Sequence, residues 1–314
     1  SPLVALSVVH TDPEQAPILA NLIAEVYSDR TLANRRDASS NAVRWLEGQR
    51  FYDANVDTPQ FAQRPIRLWE NALGKLTAFV LPESSLGTAY LQVHPDCRYL
   101  EEELVAWAEE HICARNEDTG RSFLEIPIYE YDVLRQQTLV RRGYEKTPYW
   151  GVTRHMRLGQ QPRPTVHMAE GYTLRATRPE NLADCQGIAD LLNAAFHRTF
   201  HNPWEYQNFT RRAPSFRSEL DLVVVAPDGT FAAYVGIPYD EANRLGIFEP
   251  VCTHPDHLRR GLARALMTEG LLRLWEMGAA EAIVGTGDME AANGLYTAMG
   301  FTEAYKNWIW RKEW

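Results

Sequence analysis

The sequence predicts an α/β fold, helices with a mixed sheet, made of two tandem domains. Its 314 residues suffice for two domains with a core each. Short apolar runs typical of strands alternate with amphipathic runs typical of helices. Two short sequences also recur: His94–Pro95–Asp96 matches His254–Pro255–Asp256 at an offset of 160 residues, and Gly143–Tyr144 matches Gly300–Phe301 at an offset of 157. This spacing indicates an internal duplication.

The first copy is predicted to cover residues 1–158. Strands are expected where apolar residues cluster, and helices where they recur every three or four residues. A hairpin is expected around residues 71–74, a turn-forming sequence between two apolar runs. The expected strands are 3–9, 66–70, 76–81, 88–93, 123–128 and 150–158, the expected helices are 12–26, 29–49, 100–111 and 132–142, and a loop is expected at 51–63.

A polar, proline-containing segment, residues 159–169, is the predicted linker. The second copy, predicted to cover residues 170–314, repeats the order of elements. Prolines at 179 and 203 indicate helix starts. The expected strands are 172–176, 220–226, 231–237, 245–250, 282–285 and 308–311, and the expected helices are 179–196, 203–212, one from 262 and one that contains Tyr296.

Composition narrows the class of protein. Hydrophobic residues make up 45% and charged residues 23%, as in ordinary globular proteins, and no apolar run approaches the roughly 20 residues of a membrane span. We therefore expect a soluble, cytoplasmic protein with no membrane partner. The net charge of −9 argues against nucleic acid as a partner and favours a neutral or cationic small substrate. The four scattered cysteines predict reduced thiols and no metal site.

The most informative stretch runs from Val251 to Leu266. An apolar run, Leu245–Pro250, precedes it, and apolar residues after the turn recur at the spacing of one helical face. A strand is therefore predicted to pass through a tight turn into a helix. Unpaired N–H groups and the positive end of the helix dipole then point at the ligand of the turn, and Arg259 and Arg260 add positive charge. Such a turn suits a diphosphate.

Two small residues mark where a ligand could approach this turn. Gly261 has no Cβ to intrude, and Ala263 is also small. Taken alone, a glycine and two arginines are equally typical of an ordinary strand–turn–helix. A second motif about thirty residues later, Ala-Asn-Gly-Leu-Tyr-Thr-Ala-Met-Gly-Phe at 292–301, makes the pair far more specific.

Together the two stretches resemble the GNAT superfamily of acyl-CoA N-acyltransferases. That family carries R/Q-x-x-G-x-G/A at the start of one helix and A-x-x-L-Y-x-x-x-G-F around the next. Gly261 and Ala263 match the first motif, in which Leu258 stands in place of Arg or Gln, and residues 292–301 match the second. The tandem arrangement, with the working site in the second copy, is similar to that of the mycothiol synthase family.

The resemblance implies a fold and a co-substrate. Each copy should be a central, mostly antiparallel sheet flanked by helices, and the second copy should bind acetyl-CoA as co-substrate. Backbone groups of Val251, Cys252 and Thr253 are expected along the pantetheine arm, with one N–H facing the carbonyl oxygen. The residues expected around the diphosphate are Leu258, Arg259, Arg260, Gly261, Leu262 and Ala263.

Acyl transfer from a thioester to an amine needs an acid for the departing thiolate and a base for the amine. Tyr296 is the predicted acid, because a phenol of pKa about 10 can protonate the thiolate of a thiol of pKa about 8.5. Glu249, on the strand that leads into the turn, is the predicted base, since an alkylammonium must lose a proton before it attacks. Asp288 and Glu290 are alternatives, although carboxylates at a helix start are better explained by the helix dipole.

Other polar residues of the second copy have both a functional and a structural interpretation. His254 and His257 could relay protons, but histidines in loops are more often solvated. Cys252 could accept an acyl group, but no base is visible beside it, and a buried strand cysteine is the stronger interpretation. The aromatic, histidine-containing segment 197–206 could line an acceptor pocket or pack on the core.

The first copy lacks the chemistry of the second. Where the diphosphate turn would lie, residues 97–103 contain no glycine and three carboxylates, and Leu139 stands at the position of Tyr296. Residues 1–158 are therefore predicted to be a degenerate copy. The tryptophans near the C-terminus, at 308, 310 and 314, are predicted to cover the second copy's sheet, with a partner surface as the alternative.

The favoured function is an acetyl-CoA-dependent N-acetyltransferase in which a primary amine of a small molecule attacks directly, without metal. The alternatives are a non-catalytic acyl-CoA-binding or sensing protein and an interaction scaffold. No G-x-x-x-x-G-K-[ST] sequence occurs, which disfavours a P-loop NTPase, and the sparse glycines disfavour a dinucleotide oxidoreductase. The sequence leaves the acceptor, the acyl chain length and the oligomeric state open.

Overall fold

The computed structural model describes residues 4–5, 65, 67–72, 76–82, 86–159, 163–212, 216–241 and 243–314. The helices predicted at 12–26 and 29–49, the loop at 51–63 and most of the strand at 3–9 lie outside these residues. The described part divides into two compact units. None of its helices combines the length and the apolar character that a bilayer span requires.

The first unit contains the described residues up to Val152 together with Tyr305–Trp314. Four of its strands pair antiparallel in chain order. These are β1 (Val4–Ala5), β2 (Arg67–Glu70), β3 (Leu76–Pro82) and β4 (Ala89–Val93). The predicted hairpin is confirmed, since β2 and β3 are neighbours. A short 3-10 turn, Pro95–Leu100, leads into α1 (Glu101–His111), and α2 (Val133–Arg141) follows.

The remaining strands of the first unit bring the end of the chain into its core. β5 (Ala114–Arg115) pairs with β6 (Ser122–Tyr129), and β6 pairs antiparallel with β15 (Glu303–Glu313). Trp310 lies opposite Ile126 and packs in the core of this unit. The prediction that the C-terminal tryptophans cover the second copy's sheet is therefore wrong for Trp310, because strand pairing carries it elsewhere.

The second unit contains the described residues from Thr153 to Ala304. Its elements begin with the end of β7 (Glu145–Arg157), a strand with residues in both units. Its helices are α3 (Leu182–Phe196), α4 (Pro203–Arg212), α5 (Leu262–Glu276) and α6 (Glu290–Ala298). Its other strands are β8 (Thr173–Ala176), β9 (Asp221–Val225), β10 (Phe231–Gly236), β11 (Tyr239–Asp240), β12 (Leu245–Phe248), β13 (Val251–Thr253) and β14 (Glu281–Thr286).

Two groups of strands form the second unit. One is antiparallel in the order β13-β10-β9-β8, and the other contains β11, β12 and β14, with β12 and β14 parallel. The main core of this unit includes apolar residues of α5, β9, β10, β12 and β14. A second cluster lies under α3 and α4. Mixed sheets with helices, as the sequence predicts, are the observed fold class.

The domain limits predicted from the repeat differ from those of the packed units. The packed units divide between Val152 and Thr153 and again between Ala304 and Tyr305. The difference arises because β7 and β15 each contain residues of both units. The limits of the packed units therefore fall within strands and not between the repeats. The predicted linker residues from 163 to 169 form no helix or strand.

Candidate active site

The strand that leads into the diphosphate turn changes partner halfway. Leu245 to Phe248 pair in parallel with β14, and the last pair joins Phe248 to Val284. After Glu249 and Pro250, β13 instead pairs antiparallel with β10 and ends its group of strands. The chain therefore departs from β14 at Glu249, between β12 and β13. As a result, β13 presents an open edge within the described sheet.

Hydrogen bonds on the other side of β13 show which backbone groups lie at that edge. The carbonyl of Pro250 accepts from the N–H of Gly236 at 3.2 Å, and the N–H of His254 donates to Ala232 at 2.8 Å. Because backbone groups alternate sides along a strand, the N–H and C=O of Val251 and Thr253 point toward the open edge. The prediction that this strand could bind an extended arm thus becomes specific to these two residues.

Cys252 has a different environment from its two neighbours. Its backbone lies in the hydrogen-bonded register opposite Tyr234, and its side chain is buried in the cluster under α3. Burial raises the pKa of the thiol to about 12. The thiol therefore stays protonated, which agrees with a buried strand cysteine and disfavours an acyl-accepting nucleophile.

The start of α5 is open to a ligand. Gly261 is the N-cap, with φ 75° and ψ 9°, and no side chain caps the helix there. The first intrahelical bond runs from the N–H of Ala265 to Gly261, so the N–H groups of Leu262 and Ala263 have no acceptor within the helix. A Cβ placed on Gly261 would meet no atom within 4 Å. The glycine is thus needed for its left-handed backbone and also leaves this space empty.

The cations of the turn are exposed. Leu258, Arg259 and Arg260 all lie at the surface, and Arg259 has a left-handed φ of 60°, uncommon for a residue other than glycine. The guanidinium of Arg260 lies 5.9 Å from the ring centroid of Tyr172. The phenol of Tyr172 is 2.9 Å from Nδ1 of His257. The arginines and the helix start thus form one positively charged surface.

The structure brings the predicted acid and base into one electrostatic neighbourhood. Tyr296 is 6% exposed, and its pKa is raised to about 12, first by burial and then by electrostatic interaction with Glu249 and Cys252. Its hydroxyl therefore stays protonated at neutral pH. Glu249 lies where β12 leaves β14, with its side chain at the surface. Asp288 and Glu290 are also exposed, at the start of α6, where a carboxylate complements the helix dipole.

The predicted histidine relay has structural partners instead. Nδ1 of His254 accepts the backbone N–H of Asp256 at 3.2 Å and so caps the short turn Pro255–His257. His257 contacts both the hydroxyl and the ring of Tyr172. Both histidines therefore shape the turn, and the structural interpretation accounts for them.

Asn293 was missed by sequence reasoning. Its amide donates to the carbonyls of Gly287 and Met289, both at 3.0 Å, and its Oδ1 accepts from Nε of Arg154 at 3.0 Å. It thereby fixes the turn from β14 into the helix that carries Tyr296. An asparagine three residues before the tyrosine was the only signal in the sequence.

The segment between α3 and α4, called the wall segment below, is held by hydrogen bonds and exposes aromatic rings. Asn193 and His201 exchange two hydrogen bonds, at 3.0 and 3.1 Å, and Asn202 and Glu205 form a reciprocal cap at the start of α4. The exposed aromatic residues are Phe196, Phe200 and Trp204, which are 38%, 49% and 60% exposed. The core-packing interpretation is thus insufficient for these three rings.

A buried carboxylate fixes α4 to the sheet. Asp221, 2% exposed, accepts from the hydroxyl of Tyr234 at 2.6 Å and also from the hydroxyls of Thr177 and Tyr206. Burial raises the pKa of Asp221. No sequence motif marked this cluster, because its members are far apart in the chain. Its effect is to hold the wall segment against β9 and β10.

The first unit has the same edge, but its own side chains fill it. The N–H of His94 donates to Thr77 at 2.7 Å, so the backbone groups of Leu91 point away from β3. The carbonyl of Leu91 accepts from Nη1 of Arg135 at 2.6 Å. Arg135 also forms a two-point pair with Glu101, at 2.8 and 3.0 Å, and both residues are buried.

Sequence and structure comparisons agree with this geometry. Residues 186–301 match the family model described as the acetyltransferase (GNAT) family. No curated protein matches the chain in sequence. The match covers this segment of the second unit, and acyl-CoA-dependent acyl transfer is the general activity of the matched family.

Several solved structures have the same fold over the whole chain. A GCN5-related N-acetyltransferase from Sphaerobacter thermophilus is 21% identical, with a TM-score of 0.63 over 99% of this chain and 95% of that one. A tandem GNAT protein from the clavulanic acid biosynthesis pathway is 17% identical, with a TM-score of 0.62 over 99% and 98%. A GNAT-family acetyltransferase from Colwellia psychrerythraea is 10% identical, with a TM-score of 0.55 over the full length of both chains. At these identities the likeness concerns the fold alone.

Proposed function

We propose that the protein is an acetyl-CoA-dependent N-acetyltransferase that acts on a primary amine of a small molecule, with its active site in the second unit. The observation that carries this proposal is the open edge of β13 beside the uncapped start of α5. Together they offer unpaired backbone groups for an extended amide-containing arm and N–H groups with a positive dipole end for a diphosphate. Acetyl-CoA joins these two chemical features in one molecule.

The residues of this proposed acetyl-CoA site have separate roles. Val251 and Thr253 pair with the pantetheine arm through their N–H and C=O groups, as an added strand would. The N–H groups of Leu262 and Ala263, with the side chains of Arg259 and Arg260, bind the diphosphate. Gly261 keeps the approach open, Leu258 flanks it, and Cys252 supports the strand from beneath.

Tyr296 supplies a proton to the departing thiolate. Its raised pKa of about 12 keeps the phenol protonated through the physiological range, so the donor form is always present. A phenol of this pKa is a weaker acid than a thiol, so it donates a hydrogen bond as charge develops on sulfur, and after its proton moves to the thiolate the phenolate regains a proton from water. Burial of the phenol strengthens that hydrogen bond.

Glu249 accepts the proton of the amine, directly or through a water molecule. Its position at the point where β12 leaves β14 supports this role, because the thioester is expected to pass there. The negative charge of Glu249 also contributes to the raised pKa of Tyr296, which supports assigning the two residues as base and acid of one site. The segment with Phe196, Phe200 and Trp204 forms the wall that receives the acceptor. An acid and a base in one neighbourhood are what direct attack by an amine requires.

Calorimetric titration with acetyl-CoA tests the binding half of the proposal. We expect one site per chain. An amine screen with Tyr296→Phe as the comparison tests the catalytic half: kcat should fall about 100-fold or more while acetyl-CoA affinity stays unchanged. Tyr305→Phe, in the first unit, is the matched control. Binding without turnover of any amine would favour an acyl-CoA sensor, and an absence of binding would favour a scaffold.

A further inference from the structure

A groove on the second unit lies outside the residues assigned to acyl transfer. Its volume is about 220 Å³, and it is formed by one face of α5, the end of α6, the last residues of β7 and the segment after residue 163. Thr268, Leu271 and Trp275 contribute the α5 face. None of its described lining residues belongs to β13, to the turn 258–263 or to the Tyr296–Glu249 pair.

The lining combines an apolar surface with positive charge. Met156, Leu271, Trp275 and Met299 form apolar contacts around the groove, while Arg157, Arg264 and His167 also line it. No aspartate or glutamate is among the described lining residues. Arg163 adds a further cation, with its guanidinium 5.5 Å from the ring centroid of Trp275.

These cations are not neutralised by strong pairs. Arg157 lies 3.8 Å from Glu303, but the side chains are 66% and 40% exposed, so the pair is weak. No described carboxylate forms an ion pair with Arg264. A local excess of positive charge in a chain whose net charge is −9 is therefore a specific feature of this groove.

Size and chemistry limit what could bind. An apolar cavity of about 150 Å³ holds a benzene ring, so a groove of about 220 Å³ suits one ring or two fused rings with a substituent. Methionine sulfur and an indole make favourable contacts with aromatic ligands. Guanidinium groups recognise carboxylates and phosphates through paired hydrogen bonds.

We propose that this groove is a binding site for a small aromatic anion, one or two rings carrying a carboxylate or a phosphate, and that it is separate from the acyl-transfer cleft. Two sources share that chemistry: a free aromatic acid and the adenosine 3′-phosphate end of CoA. The free acid is favoured, because no residue of the turn 258–263 is among the described lining residues.

Ligand-detected NMR and calorimetry on the full chain, without acyl-CoA, test this inference independently of the proposed enzyme. The probes are phenylacetate, indole-3-acetate, phenyl phosphate and adenosine 3′,5′-bisphosphate. We expect saturable binding of an aromatic acid to the wild type, about tenfold weaker binding by Arg264→Ala, and loss of binding in Ala298→Trp, which fills the groove. Arg115→Ala and Ala304→Trp are the matched controls and should bind as the wild type does.

Three outcomes would overturn the inference. One is an absence of saturable binding by the aromatic acids and phenyl phosphate. Another is binding that Ala298→Trp leaves unchanged while its melting temperature matches that of Ala304→Trp. The last is binding of adenosine 3′,5′-bisphosphate alone, which would assign the groove to the CoA nucleotide. If Ala298→Trp fails to fold, Arg264→Ala against Arg115→Ala decides between the outcomes.

Discussion

In each unit a short turn that begins with a histidine leads toward a helix, and the two turns have nearly identical backbone angles. His94 has φ −59° and ψ 138°, His254 has φ −58° and ψ 139°, and each accepts the N–H of the aspartate two residues later at 3.2 Å. Seven residues after each histidine the chains differ: the first unit has Glu101 and the second has Gly261. The repeat kept the turn and changed the residues at the helix start.

The two units also differ at a second pair of corresponding positions. At the offset of 157, Arg135 stands at the position of Ala292, the small residue that begins the second motif. Glu101 and Arg135 form a buried two-point salt bridge, and Arg135 also binds the Leu91 carbonyl at the strand edge. Two small residues of the second unit, Gly261 and Ala292, thus correspond to two large, oppositely charged residues that pair with each other in the first unit. The comparison teaches that two units can share the backbone of a turn while side-chain size and charge decide what occupies the space beside it.

Placing a Glu–Arg pair like Glu101–Arg135 at the corresponding positions of the second unit should have the largest effect on binding. In Gly261→Glu with Ala292→Arg, a carboxylate occupies the helix start and a guanidinium occupies the strand edge. We expect acetyl-CoA affinity to fall by about 100-fold or more, because the added carboxylate repels the diphosphate and the two larger side chains occupy the cleft. Calorimetry measures the loss.

Gly294→Glu with Ala291→Arg is the matched control for this pair. Both positions are exposed on α6, and the charges added are the same. The control should bind acetyl-CoA as the wild type does. Unchanged affinity in the first double variant would show that the turn at Gly261 is not the binding site.

Breaking the pair in the first unit should cost stability rather than binding. Arg135→Ala leaves Glu101 buried with Arg98 as its remaining ion-pair partner, at 2.6 Å. We expect a loss of about 3 kcal/mol in the free energy of unfolding, since a buried charge without its main partner is strongly destabilising. Urea denaturation followed by tryptophan fluorescence measures it.

Replacing both members of the pair is the control. Glu101→Met with Arg135→Met removes both charges and keeps the volume filled, so stability should return to within about 1 kcal/mol of the wild type. A double variant as unstable as Arg135→Ala would mean that the charge pair and its hydrogen bonds, and not a filled volume alone, are what the site requires.

The pH dependence of the rate should sharpen the role of Tyr296, whose counterpart is Leu139. The folded-state pKa of Tyr296 is raised to about 12, above its ordinary value of about 10. The donor form is thus complete below pH 10 and is lost only as pH rises toward 12. We expect no alkaline fall in kcat below about pH 10, measured under saturating acetyl-CoA.

Glu249→Gln provides the test of that assignment. Removing the neighbouring charge should lower the pKa of Tyr296 and move the alkaline limb of the profile to lower pH, besides reducing the rate. An alkaline limb that stays where it was would show that another group controls it.

Substitutions in the histidine-capped turn that both units share should give the smallest effects. His94→Ala and His254→Ala each remove one cap from a short turn, so each should cost about 1 kcal/mol in the free energy of unfolding. Only His254→Ala should also weaken acetyl-CoA binding, because only that turn leads to a diphosphate site. Equal losses of binding in both variants would contradict the division of labour between the units.

The sequence was sufficient for the parts of the site that lie close together in the chain. Strand, turn, Gly261 and the following helix are contiguous, so their local pattern predicts their geometry, and the motif around Tyr296 predicts its helix. The buried thiol of Cys252 was likewise predictable from its position in an apolar strand. Asn293 and the cluster around Asp221 could not be found in this way, because their function depends on partners brought near by folding.

By itself, the sequence determined the α/β class, indicated a duplication, and showed a glycine in the turn of one copy and none in the other, since these depend on local pattern and on residue size. Only the tertiary structure decided that Val251 and Thr253 face the open edge, that Glu101 meets Arg135, and that the chain's last strand packs in the first unit. The physical reason is that each of these depends on hydrogen bonds or salt bridges between residues far apart in the chain, and no local pattern encodes which distant partner a group will find.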